Sequence, residues 1–335
     1  MEDAQILLED NMGAFRDGES ILVTGGSGLI GINLLAFLLV YHKCLSKLNV
    51  YVNVIESSSK NFIQELFADC PFHFLSINLT STSEGDQKIH FDTIFHLATY
   101  GQPHKFGQEP LTTLELNSVG LVAISRLLKP GGRIFFASTS EIYSGNKNLP
   151  HVEGAVGTTT TTHPRACYIE AKRFGEAYCY CLGGMGFRTY SGRLSLAYGP
   201  GFRAGDRRVL NEFLLCGAAG QPIRMLDSGT AVRVYCYIRD TIDMVISLIQ
   251  TDYHEPINVA GISRTSVLDL ANLIASRSGV EVIIGDEDVG LRGAPSVVSS
   301  STDAAIRVLG KDSFVSIEEG VERSLIWAKA LTRLH

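Results

Sequence analysis

Tyr168 and Lys172 stand four residues apart, downstream of a run of hydroxyl and carboxyl side chains, Thr139, Ser140 and Glu141. Residues at i and i+4 share one face of a helix, so the lysine ammonium can reach the phenol. An ammonium there favours the phenolate and predicts a tyrosine pKa below the usual ~10. A tyrosine titrating near neutrality can take the proton of a sugar hydroxyl while hydride leaves the same carbon for a nicotinamide. Thr139, Ser140 and Glu141, delivered from a separate strand end, would supply a second acid/base group. Taken alone, Tyr168 reads equally as a packed aromatic and Glu141 as a turn carboxylate. Their order behind a glycine loop, Gly25-Gly-Ser-Gly-Leu-Ile-Gly31, is what makes the chain read as an enzyme.

Those groups need elements to bring them together. An apolar strand at 21–24 runs straight into the glycine loop, and 29–39 reads as a buried helix. Glycines between a strand and a helix allow a tight turn and let a pyrophosphate approach the N–H groups at the helix start. Gly25, Gly28, Leu29 and Ile30 are therefore expected to hold a dinucleotide. Further strands are predicted at 50–55, 72–77, 93–97, 133–137 and 189–194, with helices between them, including 111–129 and 164–182. Strand alternating with helix predicts an α/β fold, a Rossmann-type doubly wound parallel sheet. After Leu194 glycine, proline and arginine become frequent, which predicts a smaller C-terminal α/β substrate domain. A helix at 239–250 and a strand at 256–260 would return to the first unit. The predicted division is 1–193 with 237–260 for NAD, and 194–236 with 261–335 for substrate. Residues 1–19 read as a polar arm with one or two helical turns, and 158–162 as a loop.

Ligands of such sheets lie beyond the carboxyl ends of the strands. Glu56, ending the second strand, can accept both adenosine ribose hydroxyls and would repel a 2′-phosphate, so NAD is expected over NADP. Its distance from Gly25 exceeds the usual spacing, and the excess is expected as a loop near 41–48. Asn78 and Leu79 are placed toward the adenine, and Leu97, Ala98 and Thr99 along the nicotinamide path. Phe135–Ala137 is apolar, so Ser138 to Glu141 should fall at that strand's end. Pro164 fits the first turn of the helix carrying Tyr168 and Lys172, with Lys172 also donating to the nicotinamide ribose.

The net charge is −6, which does not favour nucleic acid or an anionic membrane as a partner. Between Arg193 and Arg239 there are seven arginines and no lysine, a choice that suits bidentate capture of phosphate or carboxylate. The seven cysteines form no CxxC pair or metal spacing and read as reduced thiols, so no metal is expected. With an acidic N-terminus and no long apolar run, the sequence points to the cytoplasm.

The order of glycine loop, Ser/Thr strand end, Tyr-x-x-x-Lys and Tyr198-Gly-Pro200 resembles the extended short-chain dehydrogenase/reductase superfamily, over residues from 20 to 330. Within it the chain looks most like the UDP-glucuronate decarboxylases (UDP-xylose synthases). The most specific pieces are Ala137-Ser-Thr-Ser-Glu-Ile-Tyr143, Pro164-Arg-Ala-Cys-Tyr-Ile-Glu-Ala-Lys-Arg173 and Arg208-Val, supported by Phe95-His-Leu-Ala98, Asn117 and Arg233-x-x-x-Tyr237. The resemblance implies NAD⁺ oxidation of a sugar C4 hydroxyl, with Tyr168 as base and Thr139 in the proton network. Loss of CO₂ would follow, with Ser140 and Glu141 around the carboxylate and at C5. It also implies Asn117 among the cofactor contacts and Arg208, Arg233, Arg239 and Tyr198 among the substrate contacts. A homodimer through 111–129 and 164–182 is expected on the same ground. Related 4,6-dehydratases carry Asp where Ser140 stands, and simple 4-epimerases lack the Glu; both reactions remain alternatives, as does a non-catalytic NAD sensor or scaffold. Leu196, Arg207, Ser144 and Pro295-Ser296 depart from the family pattern and leave the nucleotide and sugar open.

Overall fold

Runs of β-branched and aromatic residues bounded by turns form the strands, and longer apolar-faced segments between them form the helices. The computed structural model describes residues 1–67, 70–81, 89–285 and 297–333. In chain order come α1 (Glu2–Asp10), β1 (Ser20–Thr24), α2 (Leu29–Cys44), β2 (Asn49–Asn53), α3 (Ser57–Leu66), β3 (His73–Leu75) and β4 (Phe91–His96). Three short helices follow, α4 (Pro103–Gln108), α5 (Pro110–Asn117) and α6 (Val119–Ser125). Then come β5 (Leu128–Thr139), a 3₁₀ turn at Ser140–Tyr143, α7 (Ala166–Gly183) and β6 (Arg188–Leu194). The remainder comprises β7 (Leu196–Tyr198), α8 (Val209–Ala218), β8 (Ile223–Arg224), β9 (Val232–Tyr237), α9 (Ile238–Leu248) and β10 (Ile257–Val259). It closes with β11 (Ser263–Ser266), α10 (Val267–Ser278), β12 (Val282–Ile283), β13 (Val297–Val298), α11 (Asp303–Leu309) and α12 (Ile317–Arg333).

Seven strands make one parallel sheet in the order β10-β6-β5-β4-β1-β2-β3. The order reverses between β1 and β4, which is where a doubly wound sheet opens its ligand crevice. Ile21, Leu22 and Val23 of β1 are fully buried because helices cover both faces. A second sheet, order β11-β9-β13 with β7 also on β9, is built from the chain after Leu194, and β12 pairs β8 in a separate two-stranded ladder. Among the described residues no helix is long and apolar enough to cross a membrane.

Several sequence expectations shift. The helix expected at 111–129 is broken at Ser118, whose hydroxyl donates to the Leu114 carbonyl at 2.6 Å and competes with the backbone ladder. Leu128 already belongs to β5. The length between Gly25 and Glu56 is not a loop from 41: α2 runs on to Cys44. The N-terminal arm is a nine-residue helix rather than a turn or two. Pro164 precedes α7 instead of opening it, because Ala166 N–H donates to the His163 carbonyl at 2.8 Å in a preceding turn. β5 extends two residues further, through Ser138 and Thr139.

Candidate active site

The glycine loop is shaped by close approach. Gly25 has φ +70°, and a Cβ there would lie 2.7 Å from the Leu97 carbonyl carbon, so the loop sits flush on the end of β4. A side chain on Gly31 would collide with the Gly25 carbonyl oxygen, which fixes α2 against the loop. Gly28, the N-cap of α2, is exposed, and a Cβ would meet only the Gly25 oxygen, at 3.5 Å. No side chain caps α2, and its first turn carries no acid. Its first N–H groups are therefore left for an outside acceptor, which fits a dinucleotide pyrophosphate.

Around that loop, the Thr24 hydroxyl accepts from the N–H groups of Leu97 and Ala98, each at 3.2 Å. Leu29 is buried while Ile30 is half-buried. Glu56 lies beyond β2 as the exposed N-cap of α3, where Ser58 donates to it at 3.4 Å. Asn78 is exposed and accepts from the Thr80 hydroxyl at 2.9 Å, but Leu79 is 2% exposed and packs in the core beneath α6. Leu79 thus does not line an open adenine site. Asn117 is fully buried; its amide donates to Thr99 at 2.9 Å, and its carbonyl oxygen has no partner.

Tyr168 and Lys172 lie on the buried face of α7, which presses on β5 so closely that a Cβ on Gly175 would run into the Phe136 ring. The Lys172 ammonium donates to the Ala137 carbonyl at 2.6 Å and sits 5.7 Å from the Tyr168 ring centroid. Tyr168 stacks on Phe106 at 4.9 Å and hydrogen-bonds Thr139. The expected lowering of the phenol pKa is overturned. Burial pushes Tyr168 up to about 12; the Glu141 carboxylate adds to the rise, and the Thr139 bond with the Arg165 and Arg208 charges opposes it. The lysine yields instead: burial pulls it down to about 7, against the Glu176 carboxylate. Two buried groups beside one another each lose their charged form more readily than they exchange charge.

This inverted pair carries a stability signature. A lysine whose folded pKa lies below its unfolded value destabilises the fold fully below the folded pKa, and the cost disappears as pH rises to the unfolded value. Lys172→Met is therefore expected to stabilise the fold by on the order of a few kcal/mol at about pH 6, with the gain gone near pH ~10. Chemical denaturation at both pH values checks this, and an equal change at both contradicts it.

Glu141 is the second residue of the 3₁₀ turn, and its N–H donates to the hydroxyl of the Thr139 N-cap at 3.2 Å. Its carboxylate pairs with Arg165 at 2.6 Å. Burial raises the Glu141 pKa, and Arg165, His163 and Arg233 hold it back. Ser140 is its half-buried neighbour. Arg165, the N-cap of α7, escaped the sequence reading; its guanidinium lies over the Phe106 ring at 5.4 Å, and its Nε is buried without a partner. It stands inside the Pro164–Arg173 motif, but nothing in the spacing shows that it turns back 24 positions to a carboxylate. Arg208, bound to Asp206 at 3.0 Å, is close enough for its charge to act on Tyr168.

Two expected substrate contacts are not brought here. Arg239 pairs with Asp3 of α1 at 3.6 Å. Tyr198 is 2% exposed, wedged among Tyr235, Tyr237 and Gly320, with its hydroxyl unpartnered. Leu196 and Arg207 are exposed, and Pro295 and Ser296 lie outside the described residues. Among the described residues no cluster of three metal-ligating side chains occurs.

A model of the NAD dependent epimerase/dehydratase family matches residues 21–260. The chain is 27% identical to UDP-glucuronic acid decarboxylase 1 of Danio rerio over 316 residues, 92% of this chain and 72% of the relative. It is 26% identical to UDP-glucuronic acid decarboxylase 6 of Arabidopsis thaliana over 313 residues, 92% of this chain and 88% of the relative. In three dimensions it is similar to an epimerase of Methanothermobacter thermautotrophicus (TM-score 0.81, 21% identity, 98% of this chain and 97% of the other). It is also similar to UDP-glucuronic acid 4-epimerase of Bacillus cereus (TM-score 0.76, 21% identity, 93% and 99%). At these identities the two structures speak for the fold.

Proposed function

Since the chain belongs to the NAD-dependent epimerase/dehydratase family, we propose that it is a nucleotide-sugar decarboxylase acting on a nucleotide-diphospho-uronic acid of the UDP-glucuronate type. That the chain is an NAD-dependent enzyme that modifies nucleotide sugars follows from the family itself. NAD⁺, held by Gly25, Gly28, the start of α2 and Glu56, supplies the hydride acceptor for a sugar C4. Tyr168, hydrogen-bonded to Thr139, takes the C4 hydroxyl proton. Lys172 holds the helix turn beneath Tyr168 and presents a positive charge that favours the phenolate once the site is charged by its ligands. The new C4 carbonyl is β to the C6 carboxylate. The C5–C6 bond can then break, CO₂ leaving while its electron pair becomes the enolate. Glu141 returns a proton to C5. Arg208 and Arg233 meet the diphosphate, each charge-assisted bond contributing ~1.5–3 kcal/mol.

The observation that carries this reading is the pairing of Ser140 with a Glu141 neutralised by Arg165 at 2.6 Å, with Arg233 acting on the same carboxylate. A uronate carboxylate entering there meets the Arg165 guanidinium, whose Nε is buried and unpartnered, and one already compensated acid. Dehydration would ask residue 140 to protonate a leaving C6 hydroxyl, which serine does poorly. Mass spectrometry of products from a panel of nucleotide sugars with NAD⁺ tests the proposal. Loss of CO₂ from a uronate supports it. Loss of water from a neutral hexose, or an unchanged mass with inverted C4, replaces it with dehydration or epimerisation. No turnover of any member favours the NAD sensor or scaffold.

A further inference from the structure

Three consecutive residues of β5 grip three turns of α7. Ala137 O accepts from Lys172, the Ser138 hydroxyl donates to Glu176, and Thr139 bonds Tyr168. The first and third of these contacts belong to the chemistry. The middle one belongs to a buried polar unit that the reaction does not touch. Glu176 takes a two-pronged bond from Arg193 of β6, Nε at 2.9 Å and Nη2 at 2.8 Å. Arg193 also donates through Nη1 to the Tyr143 hydroxyl at 2.9 Å and the Glu153 carbonyl at 2.6 Å. The Tyr143 hydroxyl donates in turn to Asn258 of β10 at 2.7 Å. A 4% exposed guanidinium and an 11% exposed carboxylate are thus matched bond for bond across three neighbouring elements.

We propose that Glu176, locked by Arg193, is a positioning residue that sets the register of α7 on β5 and keeps the Lys172 ammonium charged beneath Tyr168. Glu176 is one helical turn beyond Lys172 on the same face, so its charge points along the buried seam. A rigid anchor at Ser138 leaves Thr139 only one alignment with Tyr168, and β6, through Arg193, prevents Glu176 from turning toward solvent. Lys172 is faced by Glu176 and Tyr168 of its own helix and by His96 of β4, which is buried and held neutral. Glu176 is faced by Arg193, Tyr143 and Cys179, so Arg193 fixes the carboxylate in place while Glu176 remains the acid acting on the lysine. Burial lowers the Lys172 pKa and Glu176 raises it. Without Glu176 the lysine loses its proton at lower pH, and the basic side of any activity profile that needs the ammonium retreats with it.

The test is a pH titration of Lys172 in full-length enzyme carrying isotope-labelled lysine side chains, its signal identified by its absence in Lys172→Met. It needs no substrate, so its failure is distinct from failure of the decarboxylase reading. Glu176→Gln keeps the hydrogen-bonding shape and removes the charge. The Lys172 midpoint is expected to fall by about one unit, tenfold in proton affinity, while Glu176→Asp restores most of it. An unchanged midpoint in a folded Glu176→Gln protein overturns the proposal. Should Glu176→Gln fail to fold, Ser138→Ala decides through the register arm. The Lys172 midpoint is expected to stay near wild type while the Thr139–Tyr168 bond weakens, moving the Tyr168 titration seen by ultraviolet difference against Tyr168→Phe. An unmoved Tyr168 titration there overturns it equally.

Discussion

Tyr168→Phe is expected to lower turnover by about 10²–10⁴-fold while leaving the fold and NAD⁺ binding intact. The ring is held by its stack on Phe106 at 4.9 Å and by the surrounding core, and phenylalanine keeps both. What disappears is the hydroxyl bonded to Thr139, the group that the proposed mechanism sets against the C4 hydroxyl proton. Burial pushes that phenol up to about 12, with the Glu141 carboxylate adding to the rise, so the phenol of the ligand-free protein keeps its proton at neutral pH. The active state must then come from charge that ligands bring, and the dependence on Lys172 should show only in the loaded enzyme. Turnover by Tyr168→Phe within tenfold of wild type would remove the phenol from the chemistry.

Glu141→Gln is expected to separate the two halves of the reaction. In the proposed mechanism oxidation at C4 depends on Tyr168, Lys172 and Thr139 and not on Glu141, so NADH should still form from a uronate in a single turnover. Finished product, which needs a proton delivered to C5, should fall by about 10²–10³-fold. Arg165 reports on the same group from the other side. Its charge opposes the rise that burial imposes on the Glu141 pKa. Arg165→Met should therefore let Glu141 keep its proton to higher pH, moving upward the alkaline limb of the rate profile, where the proton donor is lost. Rapid-mixing absorbance for NADH and quenched product analysis read the two halves independently. Equal losses in both for Glu141→Gln would assign Glu141 to binding rather than to proton delivery.

The glycine loop, the strand–helix alternation and the Tyr–Lys face were legible because each is local: a turn, a period, an i to i+4 spacing. What lay beyond the sequence is set by which groups are buried together. Tyr168 and Lys172 were correctly paired in space but not in energy, since spacing says nothing of desolvation, and desolvation is the largest influence on both. Arg165 meeting Glu141, and Ser138 with Arg193 meeting Glu176, join residues 24, 38 and 17 positions apart through the fold. Tyr198 and Arg239 carry motif positions, yet one is sealed into the second sheet and the other answers an aspartate of α1, a helix read as no more than a short arm. Gly175 would read as a weak point in a helix, costing ~1 kcal/mol against alanine. The Phe136 ring beneath it explains its presence.

The most direct test of the central claim is release of CO₂ from UDP-glucuronate labelled at the C6 carboxyl, run with NAD⁺ on wild type and Tyr168→Phe. Labelled CO₂ from the wild type, absent in the variant, is the predicted result. A wild-type enzyme that consumes the uronate yet leaves the label in the sugar, with C4 inverted, would contradict it.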